Sequence, residues 1–181
     1  ILVIAKQNSL YLGYGTTFDE FRFIRHKLAT RGVISDRGWT TWGGRFIYAA
    51  SDGIYMVGPD DFTELSVGIK DLYLAISDKT TIAAGSYRYQ VWFAYKQTGS
   101  GVNNNVLVLD LKKGVWSKYT SINARVFWRD IDGTLYSGVY VLATTTKILK
   151  HEDTTQDEGA AITYKYQSPD LDFGDWTRDN I

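Results

Sequence analysis

Four times along the chain an apolar alternating run meets a polar turn and is answered by a second run holding a Tyr or an aliphatic residue. The first copy joins Leu2–Ile4 to Leu10–Leu12 through Lys6-Gln7-Asn8-Ser9, and the second joins Arg45–Tyr48 to Ile54–Val57 through Ser51-Asp52-Gly53. The third joins Val91–Tyr95 to Val106–Leu109 across a long polar loop, and the fourth joins Arg125–Trp128 to Thr134–Tyr136 through Asp130-Ile131-Asp132-Gly133. Asp-Gly between alternating runs is a strong hairpin signal, because both turn positions tolerate positive φ. Asp52-Gly53 and Asp132-Gly133 are therefore read as structural turns. Tyr55 follows Tyr11 by 44 positions, which falls in the range of propeller blade repeats.

The composition agrees. With 13 Tyr, 6 Trp, 17 Gly and only 2 Pro, the chain is rich in residues that suit a pleated surface and its tight turns. Further strands are expected at Gly32–Ser35, Gly114–Tyr119 and Ala161–Gln167. One short helix is expected over Ser66–Ser77, with Ser66 as its cap and Ile69, Leu72, Tyr73 and Ile76 on one face. A weaker helical pattern covers Asp19–Lys27, with Phe21, Ile24 and Leu28. The stretch Gln97–Asn105 and the run His151–Gly159 read as loops. The expected fold is all-β: antiparallel β-propeller-like repeats over residues 1–160, with 161–181 as a C-terminal strand and tail segment of the same fold. A sandwich is the structural alternative. At roughly 40–45 residues per blade, a ring of four to eight blades sits at or above the limit of 181 residues. The ends look cut, so an incomplete propeller is expected.

Catalytic signals are thin. There is no cysteine, and the only histidines, His26 and His151, lack zinc-type spacing. No P-loop or nucleophile elbow is present. The carboxylate pairs Asp60-Asp61, Asp130 with Asp132, and Asp170 with Asp172 all lie in or beside turns, where Asp bonds its own backbone. His151-Glu152-Asp153 reads as a solvated loop before it reads as a metal site. The chain is expected not to be an enzyme and to hold no cofactor and no metal. Lys+Arg and Asp+Glu both count 20, without the clustered basic footprint of a duplex-binding protein. No apolar run is long enough to span a membrane.

Ser35-Asp36-Arg37-Gly38-Trp39-Thr40-Thr41-Trp42 comes close to the Asp-box of sialidase-like propellers, with Asp36 and Gly38 one position early. Asp110–Trp116 looks like the strand pair of a kelch blade. Trp39, Trp42, Trp92, Trp116 and Trp128 are expected to pack between sheets, with Trp92, Trp116 and Trp128 as the inter-blade residues. The alternative is a glycan- or protein-binding propeller of sialidase-like or kelch-like type, with exposed Trp and Tyr as its platform.

The order of motifs also carries a family resemblance. Asn8–Tyr11, Arg31–Ser35, Gly44–Tyr48 through Ser51–Tyr55, Leu65-Ser66 and Val106–Leu111 to Trp116 follow one another as in tail propeller proteins of tailed bacteriophages. Asp132–Gly138 and Ala161–Tyr164 through Leu171–Gly174 complete the series. Met56-Val57-Gly58 departs from the pattern usual after the second hairpin. The resemblance implies a structural tail component of the hub, nozzle or stabilisation kind, located in the virion. It implies a homo-oligomeric ring below the portal and adaptor, with fibres among its neighbours and DNA crossing the lumen without sequence reading.

Overall fold

The computed structural model describes residues 2–17, 19–141, 145–151, 156–157 and 160–161. One compact unit runs Ile1–His151 and a second Glu152–Ile181. Among the described residues the first unit holds four antiparallel meanders. They are β1 (Leu2–Lys6), β2 (Ser9–Tyr14) and β3 (Arg22–Arg25); β4 (Trp39–Trp42), β5 (Arg45–Ala49), β6 (Ile54–Val57) and β7 (Phe62–Glu64). Then come β8 (Ala83–Tyr87), β9 (Gln90–Tyr95), β10 (Asn105–Asp110) and β11 (Val115–Thr120), and finally β12 (Val126–Arg129), β13 (Leu135–Val141) and β14 (Thr145–Lys150). In the second unit β15 (Gln156–Asp157) pairs antiparallel with β16 (Ala160–Ala161). The rest of the expected strand Ala161–Gln167 lies outside the described residues, as do Asp170, Asp172 and nearly all of segment 161–181.

Successive sheets stack face to face through three separate apolar cores, and the architecture is propeller-like. The two-residue side-chain period explains how. In β5, Phe46 and Tyr48 face the first sheet and meet Leu10 and Val3, while Ile47 and Ala49 face the third and meet Val91, Phe93 and Leu107. In β9, Val91, Phe93 and Tyr95 complete that second core, and Trp92 and Ala94 turn the other way to join Phe127 and Leu135 in a third. Strands buried on both faces read as near-continuous apolar runs, which is why Phe46–Ala50 and Val91–Tyr95 carry almost no polar residue. The leading strands β4, β8 and β12 lie side by side, β8 against both of the others. Gly85 lets β8 approach β12, since a Cβ there would stand 2.5 Å from the Cβ of Phe127.

Several local expectations change. Asp19–Lys27 is not helical: Arg22–Arg25 forms β3 and pairs with β2, Gly13 opposite Phe23. Phe21 and Phe23, two apart, share one face and touch edge to face with centroids 5.2 Å apart. Cross-strand pairing outweighed a helical spacing of three residues. The helix after Ser66 is shorter than expected, a 3₁₀ turn (Val67–Ile69) leading into α1 (Lys70–Leu74). Ser66 does not cap it. Its hydroxyl accepts from Ile54 N–H and donates to the Glu64 carboxylate, so it closes the second sheet instead. Tyr73 of α1 is buried and donates to the Ala50 carbonyl at 2.6 Å. Gly32–Ser35 is not a strand but a connector, tied by Val33 N–H to the Lys6 carbonyl and by Ile34 N–H to that of Ala49. The polar loop before β10 is anchored: Asn103 is buried and its amide donates to the carbonyls of Thr81 and Ala124. Asn105 is itself a buried residue of β10.

Candidate functional site

The two Asp-Gly turns are built differently from each other. Ala50 N–H donates to the Gly53 carbonyl at 2.8 Å, which puts Ser51 and Asp52 at the centre and Gly53 at the shoulder. Gly53 has no positive φ. It is glycine because a Cβ would stand 2.7 Å from Ser66 Oγ and 2.8 Å from Glu64 Oε1. Gly133 sits at φ +86° with nothing within 4 Å, so there backbone conformation is the requirement. Gly133 N–H donates to the Asp130 carbonyl, and Asp132 Oδ1 accepts from Thr134 N–H at 2.8 Å. Hydrogen bonds from Thr134 hold the Asp132 carboxyl below its usual value. The turns also differ in place, the first joining β5 to β6 and the second β12 to β13.

Asp52 reaches beyond its turn. Its Oδ2 pairs with Arg31 Nε at 2.7 Å, pinning the connector between the first two sheets. Burial alone would raise this carboxyl, but the hydrogen bond and charge of Arg31, with the nearby Tyr55 hydroxyl, outweigh it and hold the group below its usual value. The Tyr55 hydroxyl is pushed up to about 12, by burial first and then by the Asp52 and Glu64 charges.

The described tryptophans divide into two groups. Trp92 is 1% exposed and sits in the core between the third and fourth sheets, against Tyr119, Phe127 and His151. Trp116 packs on the second core and donates from Nε1 to the Leu65 carbonyl at 3.0 Å, tying β11 to the end of β7. Trp42 makes the matching tie in the other direction, donating to the Arg88 carbonyl at 2.7 Å. Trp128 does not lie in a packed core: it is 38% exposed and stacks on Tyr136 of its own sheet, centroids 5.6 Å apart. Trp39, 47% exposed, also stands in solvent, held by Nε1 donation to the Asp36 carbonyl and by Phe46 at 5.6 Å.

These two exposed tryptophans line one cleft of about 370 Å³ between β4, β8 and β12, with Arg37, Ser86, Phe127 and Arg129. The near-Asp-box residues shape its rim. Buried Ser35 donates to the Ile82 carbonyl at 2.6 Å and accepts from Arg37 N–H, and Gly38 N–H closes the turn on the Ser35 carbonyl. Arg37 also passes its carbonyl to Ala84 N–H of β8, which locks the turn to the neighbouring sheet. Ser86 Oγ donates to the Thr41 carbonyl at 3.0 Å. A larger cleft of about 520 Å³ is lined by Gln97, Asn104, Asn105, Lys118 and Thr120. It has no aromatic wall, and its amides bond one another, as in Asn105 Nδ2 to Gln97 Oε1 at 3.1 Å.

Both histidines are buried. His26 Nδ1 accepts from Ala29 N–H and its Nε2 faces the Gly58 carbonyl at 3.1 Å, which fixes the Nε2–H tautomer. His151 is no solvated loop residue, because its Nε2 meets the Ser137 hydroxyl at 2.7 Å beneath Trp92. Of the carboxylate pairs, Asp61 binds Arg45 at 2.9 Å, and Asp130 and Asp132 accept from backbone N–H groups of their own turn. Among the described residues no group of three or more His, Cys, Asp or Glu could hold a metal ion. No described helix is long and apolar enough to cross a membrane.

No protein-family model matches the chain, and no curated protein matches it in sequence. Among solved structures it is similar to the extracellular domain of a one-component system from B. thetaiotaomicron, with a TM-score of 0.50 and 10% identity. That match covers 93% of this chain and 21% of the other, so the chain spans about a fifth of it. The WD40 domain of Neurospora crassa Pan2 matches with a TM-score of 0.38 and 13% identity, over 82% of this chain and 48% of that one. At such identities the first likeness speaks for the fold alone.

Proposed function

We propose that the chain is a structural component of a bacteriophage tail, a propeller-like unit that assembles with copies of itself in a ring below the portal and adaptor. The supporting observation is the state of the two end sheets. The free face of the first carries Leu2, Ile4 and Phe23, the last 49% exposed, and that of the fourth carries Val126, Trp128 and Ile148, the last 67% exposed. Exposed apolar surface of this kind suits a subunit interface. Head-to-tail contact between unlike faces generates rings when the rotation closes. The order of motifs shared with tail propeller proteins supports the same reading. The engagement of the described carboxylate pairs in turns and an ion pair favours a structural role over hydrolysis. A formal net charge of zero suits a wall that DNA passes without being held by phosphate contacts.

The test is peptide mass spectrometry of purified phage particles, with gold-labelled antibody against residues 96–105 to locate the chain. Labelling at the tail below the head supports the reading. Absence from particles that contain their portal and adaptor ends it.

A further inference from the structure

We propose that the cleft between β4, β8 and β12 binds an oligosaccharide that carries a carboxylate. Trp39 and Trp128 are the residues that carry the argument. Both keep large indole faces in solvent, yet each is held in place before any ligand arrives. Trp39 is fixed by its hydrogen bond to the Asp36 carbonyl and by Phe46, and Trp128 by its stack on Tyr136, tilted only 14°. Rigid aromatic planes give contact area with little ordering cost, and the apolar C–H face of a sugar ring is their natural complement. The cleft volume of about 370 Å³ falls within the range of small-ligand sites.

The polar groups narrow the ligand. Arg37 shares the Asp36 carboxylate at 3.3 Å, and Arg129 has no ion pair among the described residues. The lining therefore holds one surplus positive charge, on the same strand as Trp128. Arginine meets a carboxylate through paired N–H donors, so a single acidic group on the glycan matches a single uncompensated guanidinium. The Thr40 hydroxyl adds a donor and an acceptor for sugar hydroxyls, and Ser86 Oγ, its proton given to the Thr41 carbonyl, adds an acceptor. A nucleic-acid strand fits less well. It carries a charge at every nucleotide and asks for a basic track along a groove, which this lining does not supply. The walls come from inside one chain, but Val126 and Trp128 also lie on the free face of the fourth sheet, so glycan binding is read on the Ile148→Glu chain as well as on the wild type.

The experiment begins with the intact chain on a glycan array of uronic-acid-bearing, sialic-acid-bearing and neutral oligosaccharides. The strongest binder and its neutral counterpart are then titrated by tryptophan fluorescence and calorimetry. Saturable quenching is expected, with the acidic glycan preferred by about tenfold. Trp39→Ala and Trp128→Ala should each weaken it by about tenfold or more without lowering the melting temperature appreciably. Arg129→Gln should remove the preference for the acidic glycan and leave neutral binding in place, which loss of folding could not do. Binding to no glycan, unchanged affinity in both tryptophan variants, or tighter binding of single-stranded oligothymidine would each overturn the proposal.

Discussion

The second and third sheets are buried on both faces, whereas the first and fourth are buried on one. The same kind of strand behaves differently in the two settings. Trp92, between the third and fourth sheets, is sealed by Tyr119, Phe127 and His151, while Trp128, on the free face of the fourth, stacks on Tyr136 of its own sheet. What a large aromatic contributes is thus set by how many sheets surround it. The inner sheets hold the unit together, and each end sheet keeps an apolar face exposed.

The sharpest break of that comparison is truncation of the two tryptophans. Trp92→Ala should cost about 3–5 kcal/mol in urea unfolding, as cavity-forming changes in packed cores do. Trp128→Ala should cost well under about 1 kcal/mol by the same measurement. Equal losses would mean that the fourth sheet is covered on both faces in the isolated chain.

A smaller contrast lies in two glycines. Gly85→Ala drives a Cβ against Phe127 inside the third core and should cost about 1–3 kcal/mol by thermal unfolding. At Gly138 the nearest atom to a new Cβ is Val126 Cγ1 at 2.9 Å. Val126 is exposed and can swing away, so Gly138→Ala should cost about 0.5 kcal/mol or less.

How much of this was legible in the sequence depended on whether a residue's partner was near it in the chain. The turns at Lys6–Ser9, Ser51–Gly53 and Asp130–Gly133 were visible because each is closed by its own neighbours. The reason for glycine at Gly53 was not, since it lies in Ser66 and Glu64 across the sheet. Ser66 reads locally as a helix cap, but its hydroxyl is held by Ile54, twelve residues back. Trp39 and Trp128 had the same composition signal as Trp92. Which of them was sealed depended on the sheet order, and no local spacing encodes that. The cleft itself gathers three leading strands spread along the chain from Trp39 to Arg129, with only the near-Asp-box at Ser35–Trp42 as a local hint.

The connector between the first two sheets gives the smallest effect. Asp52 has a depressed carboxyl pKa, so its ionised form stabilises the fold above the unfolded value of 3.8. That contribution is lost as pH falls through the folded value. Asp52→Asn should therefore lower the melting temperature slightly at neutral pH, and the two melting curves should converge below about pH 4. A gap that persists in acid would assign the loss to packing of the turn instead of the ion pair with Arg31.

The end sheets decide the central claim, that this is a building block made to stand beside its own copies. Native mass spectrometry of the intact chain across a concentration series, beside Ile148→Glu, tests it most directly. The account predicts a discrete closed oligomer for the wild-type chain and monomer for the charged variant, with equal melting of the inner sheets in both. A wild-type chain that stays monomeric at every concentration would contradict it.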